Sequence, residues 1–339
     1  MRKIKSLTAS RLTRRTVLKA ACAIGATVAA GPALAQQPTQ QTPRVKGPRV
    51  WLDMDQKELD DAYDQRVWAP NQVHLGKRRQ NWSLQARARL GQPERVAYGP
   101  TEIEKLDIYK TKRANAPIHV FLHGGAWRGG LAKDSAYPAE MFVTAGAHYV
   151  VPDFVWVQNA GGSLTPIADQ VRRAVAWVYK NAASFGGDPN RLYLSGHSSG
   201  GHLAGVVLVT DWQKDFGLPA DTVKGGLLIS GMYDLKPPRL SARSSYVKFD
   251  DAMEQALSTQ RHLEKLRTPV IIAHGTLESP EFQRQARDFA AAVKAAGKPV
   301  RLIVGEGYNH FELPETLGNP FGLMGGAALE QMQIKLGGA

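Results

Sequence analysis

The sequence predicts a single α/β domain in which a mostly parallel sheet is covered by helices on both faces. Short, continuous apolar runs recur along the chain, and each has the length of a buried strand. Between these runs lie stretches in which apolar residues repeat at helical spacing. Strands that alternate with such helices are typical of βαβ units, and no internal repeat or change of composition suggests a second domain.

The first 35 residues have the features of an export signal. Seven Lys and Arg residues precede an Ala-rich apolar run, and residues 33–35 supply an A-x-A cleavage site. Arg14 and Arg15 lie in a stretch that resembles the twin-arginine export motif, which predicts a bacterial protein that is periplasmic or secreted. The alternative is a plain secretory signal with two adjacent arginines. The apolar run is too short for a stable membrane span.

Cysteine content and charge exclude several classes of protein. The single cysteine, Cys22, lies inside the predicted signal, so we expect neither disulfides nor a thiolate metal site after processing. The chain carries a net charge of +13, of which seven positive charges belong to the signal, leaving +6. Basic and acidic residues are interspersed without a basic, aromatic-rich patch, so we do not expect nucleic-acid binding. No phosphate loop and no H-E-x-x-H pattern is present, and we expect no cofactor and no metal.

The segment before the sheet is predicted in three parts. Residues 36–50 are polar and Pro-rich and are typical of a tether, so the domain is expected to span residues 51–339. A helix is predicted over residues 53–64, with Asp53 and Gln56 spaced as a capping pair. A second, Arg-rich helix is expected over residues 71–90. These helices either pack over the site or lie on the flank of the domain.

The sheet is predicted to begin near Ile103. A half-exposed strand alternates apolar and polar residues over 104–109, and the other strands are expected at residues 117–122, 147–152, 192–194, 225–230, 270–274 and 300–304. A helix over 165–181 opens with Thr165 as N-cap and Pro166 as the first helical residue. Another spans 282–296 and stops at Gly297, and a last helix lies between residues 311 and 338.

Residues 192–209 predict a nucleophile elbow. A short apolar strand leads into the G-x-S-x-G pattern of residues 196–200, and an apolar helical run over 202–209 follows it. Glycines on both sides of Ser198 allow a sharp turn without a Cβ clash, which would expose the Ser198 hydroxyl above the edge of the sheet. The alternative is a Gly/Ser loop before a helix.

A glycine loop at residues 123–127 follows the predicted strand 117–122 directly. Acyl transfer to a serine creates an oxyanion, which two backbone N–H groups must stabilise. A Gly-Gly turn lets the backbone approach closely enough to donate one of them, and the N–H of Ser199 is expected to be the other donor.

Three carboxylates compete for the role of the acid that orients a catalytic histidine. Glu278 lies in the loop after the strand 270–274, at the carboxyl edge of the sheet where open parallel sheets hold their sites. Glu281 is the local rival and is typical of a charge that complements a helix dipole. Asp234, after the strand 225–230, is the distant rival.

His310 is the expected general base. It is the last histidine and follows the last strand, which completes the order Ser, acid, His along the chain. His123 and His274 end apolar strands and are more typical of structural histidines. His197 and His202 belong to the elbow and its helix.

Five motifs in order resemble an α/β hydrolase of the kynurenine formamidase (arylformamidase)-like esterase group. HGGAW, GHSSGGHLAG, SGMYDL, LESPEFQRQ and NHF match motifs of that group, and the likeness covers about residues 51–311. The resemblance implies an α/β-hydrolase fold with Ser198 as nucleophile and His310 as base. It places Glu278 at the acid position, and it implies Gly125, Ala126 and Ser199 as oxyanion donors.

Three departures from the group leave the substrate open. Glutamate replaces the usual aspartate at position 278, and residues 153–156 stand where relatives usually have a Tyr-Arg pair. An export signal also fits poorly with kynurenine breakdown, which is cytoplasmic in the relatives.

We therefore expect a serine hydrolase that cleaves small-molecule carboxylic esters, or aryl amides and formamides, through an acyl-enzyme. A true N-formylkynurenine formamidase is the alternative among enzymes, and a catalytically silent, exported binding module is the alternative outside them. Four aromatic side chains are expected either to line the substrate pocket or to pack in the core: Trp127, Tyr137, Trp156 and Tyr233.

Overall fold

The computed structural model describes residues 44–335, so the predicted export signal and residues 36–43 of the tether lie outside the described part. The folded unit begins at Lys46, a few residues before the expected boundary at Trp51. Its first element is a two-stranded antiparallel ribbon of β1 (Arg49–Trp51) and β2 (Met54–Asp55). The Gly47 N–H also donates to Asp55 Oδ2 at 2.7 Å. Because these backbone groups are paired, the residues just before Trp51 belong to the fold.

Three helices follow: α1 (Gln56–Tyr63), α2 (Gln65–Trp68) and α3 (Gln72–Leu90). The predicted capping pair of Asp53 and Gln56 is wrong. Asp55 is the N-cap of α1, and its carboxylate accepts from the Glu58 N–H while Glu58 accepts from the Asp55 N–H, which forms a reciprocal capping box. The end of α3 before Gly91 agrees with the prediction.

An eight-stranded sheet forms the centre of the domain. Its strands are β3 (Glu94–Ala97), β4 (Lys105–Tyr109), β5 (Ala116–Leu122), β6 (His148–Pro152), β7 (Gly187–His197), β8 (Gly225–Ile229), β9 (Val270–Gly275) and β10 (Val300–Gly305). They lie in the order β10-β9-β8-β7-β5-β6-β4-β3. The six strands from β10 to β6 in this order are parallel, whereas β4 pairs antiparallel with β6 and β3 pairs antiparallel with β4.

Helices cover both faces of the sheet, as predicted. They are α4 (Ala139–Thr144), α5 (Thr165–Asn181), α6 (Ser199–Leu208), α7 (Trp212–Phe216), α8 (Lys236–Leu240), α9 (Asp251–Leu257), α10 (Pro280–Ala295) and α11 (Leu323–Gln331). Successive strand residues point to opposite faces, so Val120 joins the core cluster that contains residues of α5, α6 and α10, and Phe121 joins the cluster of α4 and α11. Helix α5 has its predicted bounds, but its N-cap is Leu164 and not Thr165.

Two strands of the central sheet differ from the prediction, and the ribbon of β1 and β2 was not predicted either. Strand β7 is 11 residues long, whereas only residues 192–194 were expected, because its first half is polar and partly exposed. Strand β3 was not predicted, since it is a short, largely exposed edge strand. Within residues 44–335, none of the helices has the length and apolarity needed to cross a membrane.

Candidate active site

Ser198 occupies a strained turn between β7 and α6. Its backbone angles, φ 58° and ψ −122°, lie in a region that L-residues rarely adopt. A Cβ on Gly200 would overlap the Leu122 carbonyl oxygen, and one on Gly196 would overlap the Gly200 carbonyl oxygen. The two glycines of the G-x-S-x-G pattern are therefore required by the close packing of α6 on the sheet. The structure thus contains the strand, turn and helix of a nucleophile elbow.

A continuous chain of hydrogen bonds links Ser198 to Glu278 through His310. The His310 Nε2 atom lies 2.9 Å from Ser198 Oγ, and His310 Nδ1 lies 2.7 Å from Glu278 Oε2. All three residues are buried. A histidine held in this way presents its Nε2 atom to the hydroxyl while Nδ1–H donates to the carboxylate. The three residues come from the ends of β7, β9 and β10, as the sequence predicts.

Two groups that sequence reasoning missed hold the second oxygen of Glu278. Ser230 Oγ donates to Glu278 Oε1 at 2.6 Å, and the Gly275 N–H donates to the same oxygen at 2.7 Å. Ser230 follows β8 directly and has a φ of 51°. The sequence could have indicated a role for Ser230, because it lies at the carboxyl end of a central strand, next to the expected site. Both donors fix the longer glutamate side chain so that its other oxygen faces His310.

The two rival carboxylates lie elsewhere. Asp234 Oδ1 accepts from the Lys236 N–H at 3.1 Å and forms an ion pair with Arg261. Glu281 is buried beneath α1 and pairs with Arg284 at 2.7 Å. Neither carboxylate forms a hydrogen bond with a histidine in the described part of the chain.

The glycine loop after β5 places free backbone donors beside Ser198. Gly125, Ala126 and Trp127 all have positive φ, at 127°, 55° and 61°. Within the described residues, the N–H groups of Gly125, Ala126 and Ser199 donate to no backbone or side-chain acceptor. A Cβ on Gly124 would lie 3.2 Å from the Ser198 Cβ, which shows how closely the loop approaches the elbow. Such donors suit an oxyanion at the serine.

Buried histidines support this loop and the His310 backbone. His197 Nε2 lies 2.7 Å from the His310 carbonyl oxygen. Burial, together with the nearby His310 and Arg79, lowers the pKa of His197 well below its ordinary value, so the ring is neutral and its Nε2–H donates to that carbonyl. His123 stacks on Phe154 with 4.3 Å between ring centroids. Its Nδ1 atom lies 3.0 Å from the Gly124 carbonyl oxygen, and burial lowers its pKa.

A cavity of about 620 Å³ opens above Ser198 and His310. Tyr137 lines it, but the other three aromatic residues predicted for the pocket do not. Trp127 is buried and donates to His202 Nδ1, whereas Trp156 donates to the Gly130 carbonyl oxygen. Tyr233 is buried and stacks on Phe289. Sequence position alone did not show which way these rings point.

The segment before the sheet supplies part of the cavity wall. Tyr63, Gln65, Gly76, Arg79 and Gln80 line it together with the loops of the sheet. Of the two interpretations left open for this segment, the structure agrees with packing over the site. Among residues 44–335 no group of three or more His, Cys, Asp or Glu side chains is arranged to hold a metal ion.

Comparison with protein families gives two matches. Residues 106–224 match the BD-FAE family model, and residues 166–318 match the model of the prolyl oligopeptidase family. The two matched ranges together include the elbow, Glu278 and His310.

Named relatives belong to the group that the five motifs indicated. The chain is 29% identical over 281 residues to a kynurenine formamidase from Danio rerio, which covers 79% of this chain and 93% of the relative. It is 30% identical over 260 residues to the esterase LipC of Mycobacterium tuberculosis, covering 69% of this chain and 60% of the relative. These matches confirm the resemblance.

Solved structures share the fold. A crystal structure of a putative thioesterase from a Silicibacter species superposes with a TM-score of 0.69 at 22% identity, covering 78% of this chain and 96% of the other. Esterase 2 of Thermogutta terrifontis, phosphoramylated by tabun, superposes with a TM-score of 0.58 at 25% identity, covering 72% and 93%. The predicted fold class is confirmed.

Proposed function

We propose that this serine hydrolase, which is similar to kynurenine formamidases and esterases, cleaves carboxylic esters through an acyl-enzyme on Ser198. His310 acts as the general base, Glu278 orients His310, and the N–H groups of Gly125, Ala126 and Ser199 bind the oxyanion.

The proposed reaction has two halves. His310 Nε2 takes the Ser198 proton as Oγ attacks the ester carbonyl, and the N–H donors stabilise the tetrahedral oxyanion. The bond to the alcohol oxygen breaks, His310 returns the proton to the leaving alcohol, and an acyl-enzyme remains. A water molecule then attacks the acyl carbonyl with His310 again as base, which releases the acid and restores the serine.

The observation that carries the proposal is the pair of hydrogen bonds of 2.9 Å and 2.7 Å that joins Ser198, His310 and Glu278. Labelling with a fluorophosphonate probe tests it. The purified protein should label on Ser198, and Ser198→Ala should remove both the label and p-nitrophenyl butyrate hydrolysis, whereas Ser184→Ala, a change at an exposed serine, should affect neither. Labelling that survives in Ser198→Ala would contradict the assignment of the nucleophile.

Formamide hydrolysis is the second candidate function, favoured by the relative from Danio rerio that is named a kynurenine formamidase. The ratio of kcat/KM for p-nitrophenyl butyrate and for N-formylkynurenine separates the two. A higher value for the ester is expected, and a higher value for the formamide would reverse the order.

We also propose that the protein is exported by the twin-arginine route, on the basis of Arg14 and Arg15 in a basic segment before an apolar run. Residues 1–35 fused to a reporter protein that folds in the cytoplasm should carry it to the periplasm of a bacterial host. Changing both arginines to lysine should retain the reporter in the cytoplasm. Export that persists in the double variant would indicate the plain secretory signal instead.

A further inference from the structure

Three arginines on the wall of the Ser198 cavity have no carboxylate partner. They are Arg79, Arg128 and Arg243. In the part of the chain that the structure describes, none of them lies within 4.0 Å of an Asp or Glu oxygen. The fourth arginine on this wall, Arg66, differs because it pairs with Asp64 at 2.6 Å.

Arg243 is the most unusual of the three, because its side chain is buried and forms no ion pair with a carboxylate in the described residues. Only 5% of the residue is exposed. Its guanidinium donates to Tyr246 Oη at 2.8 Å and to the Tyr63 carbonyl oxygen at 3.2 Å, both neutral acceptors, and its buried Nε–H has no partner. A buried cation held by neutral groups alone is unfavourable, so a missing anion would stabilise it.

Arg128 contacts the same tyrosine, Tyr246, at the face of its ring. Its guanidinium carbon stacks over the Tyr246 ring at 4.4 Å from the centroid, so two cations contact one tyrosine. Arg128 follows Ala126 by two residues, and its Cα is therefore within about 8 Å of the Cα of an expected oxyanion donor. We call Arg128 and Arg243 the arginine pair. Gln65 lines the same cavity, and both polar atoms of its amide are buried without a partner.

No carboxylate on the cavity wall forms an ion pair with the arginine pair in the described residues. The hydrogen bond from Arg66 and, more weakly, the charge of Arg243 lower the pKa of Asp64, but Asp64 pairs with Arg66 and not with Arg243. Asp60 accepts from the Ala242 N–H at 2.6 Å and from Gln56. Asp134 also lines the cavity, and it forms no ion pair with either arginine.

We propose that the substrate of this hydrolase carries a carboxylate, which binds between Arg128 and Arg243 beside Tyr246. This inference rests on the proposed function, because the same cavity holds Ser198 and His310. A guanidinium donates two parallel hydrogen bonds to a carboxylate, which neutral or single-point donors do not reproduce. Arg128 is two residues from Ala126, an expected oxyanion donor. The substrate carboxylate is therefore expected to lie only a few bonds from the reacting carbonyl.

Two matched pairs of esters test the proposal. Mono-p-nitrophenyl glutarate replaces the terminal methyl of p-nitrophenyl valerate by a carboxylate on the acyl side, and 3-(carboxymethyl)phenyl acetate does the same for 3-ethylphenyl acetate on the alcohol side. In one of the two pairs, kcat/KM should be at least about tenfold higher for the charged ester, as expected for a charge-assisted hydrogen bond.

Two arginine variants and one control locate the effect. Arg243→Gln and Arg128→Gln, the latter at an exposed position, should each lose most of the preference. The preference is measured within each variant, as the ratio of kcat/KM for the charged and the neutral ester. Arg301→Gln should keep the preference for the charged ester, because Arg301 lies on β10, away from the cavity, and pairs with Glu330. The Arg128 variant serves if replacement of the buried arginine prevents folding.

A preference for the neutral ester in both pairs, equal rates within both pairs, or a preference that survives both arginine variants would overturn the inference. Fluorophosphonate labelling of Ser198 separates this failure from that of the proposed function. Absence of a charge preference in the wild-type protein, with Ser198 still labelled, contradicts only the carboxylate subsite, whereas absence of labelling contradicts the hydrolase mechanism itself.

Discussion

Glu278 and Glu281 are three residues apart and are both buried, but their partners differ in charge. Glu278 accepts from Ser230, from the Gly275 N–H and from His310. Glu281 forms a two-pronged ion pair with Arg284 at 2.7 and 2.8 Å. It also accepts from Trp51 and Tyr63.

This difference separates a carboxylate suited to catalysis from a structural one. Among the hydrogen-bond partners of Glu278 in residues 44–335, only His310 can become a cation, so the carboxylate is suited to stabilise the imidazolium of the proposed reaction. Glu281 is already neutralised by Arg284 and joins α10 to the N-terminal segment. Glu278 lies in the loop after β9 and Glu281 lies in the first turn of α10, so the two are neighbours in the chain and their partners decide the role.

Glu278→Gln should cause the largest loss of activity. The amide would present an N–H to His310 Nδ1 or stabilise the wrong tautomer, so kcat should fall by about 10⁴ while the fold persists. Steady-state hydrolysis of p-nitrophenyl butyrate measures it, and Glu278→Asp, which keeps the charge, should retain more activity. A kcat within tenfold of wild type would remove Glu278 from the mechanism.

Glu281→Gln should show the opposite pattern. It removes the buried one of the two carboxylates that pair with Arg284 and leaves only Asp288, at 2.7 Å. The free energy of unfolding should therefore fall by about 2 kcal/mol. Urea denaturation followed by fluorescence measures the loss, and kcat of the folded protein should be unchanged. The distinction between the two glutamates fails if this variant loses kcat without losing stability.

Ser230→Ala should have a smaller effect on activity. It removes one of the two neutral donors that hold Glu278 Oε1, so kcat should fall by about tenfold, the value of one lost hydrogen bond, with KM nearly constant. Asp234→Asn is the matched control, and kcat should change by less than about threefold because Asp234 faces Arg261 and not His310. A larger loss in the control would return Asp234 to consideration as the acid.

His202 extends the comparison to a buried histidine that has only neutral partners. Its Nδ1 accepts from Trp127 and its Nε2–H donates to the Leu257 carbonyl oxygen. Burial lowers the pKa of His202 from 6.5 to about 4. Between these values the unfolded chain binds a proton that the native protein does not, so stability decreases as the pH falls through this window.

For this histidine, the free energy of unfolding should decrease by about 1.4 kcal/mol per pH unit over most of that range. His202→Gln can make both hydrogen bonds without titrating, and it should lower the pH slope of stability by that amount. Urea denaturation at pH 7.5, 6 and 5 provides the measurement. Identical slopes in the two proteins would mean that His202 does not contribute to acid sensitivity.

Much of the fold was predictable because buried strands and amphipathic helices leave strong local patterns. The apolar runs that became β5, β6, β8, β9 and β10 were placed within one residue at each end. The polar first half of β7 and the exposed β3 carry no such pattern, because their pairing depends on neighbouring strands and not on burial.

The candidate site was predictable in its order along the chain but not in its contacts. Ser198, Glu278 and His310 follow three strand ends that a parallel sheet brings to one edge. The support from Ser230 and the burial of Arg243 depend on side-chain directions and on the packing of distant segments. For the same reason Trp127 and Tyr233, which follow strands, turned into the core instead of the cavity.

The strained backbone conformation of Ser198 helps to distinguish an enzyme from a catalytically silent binding module. Its φ of 58° suits glycine and costs a serine about 1–3 kcal/mol. Glycine at position 198 would relieve this strain but would remove the hydroxyl that hydrogen-bonds to His310. The strained serine therefore agrees with the proposed reaction at its hydroxyl, for which a silent binding module has no use.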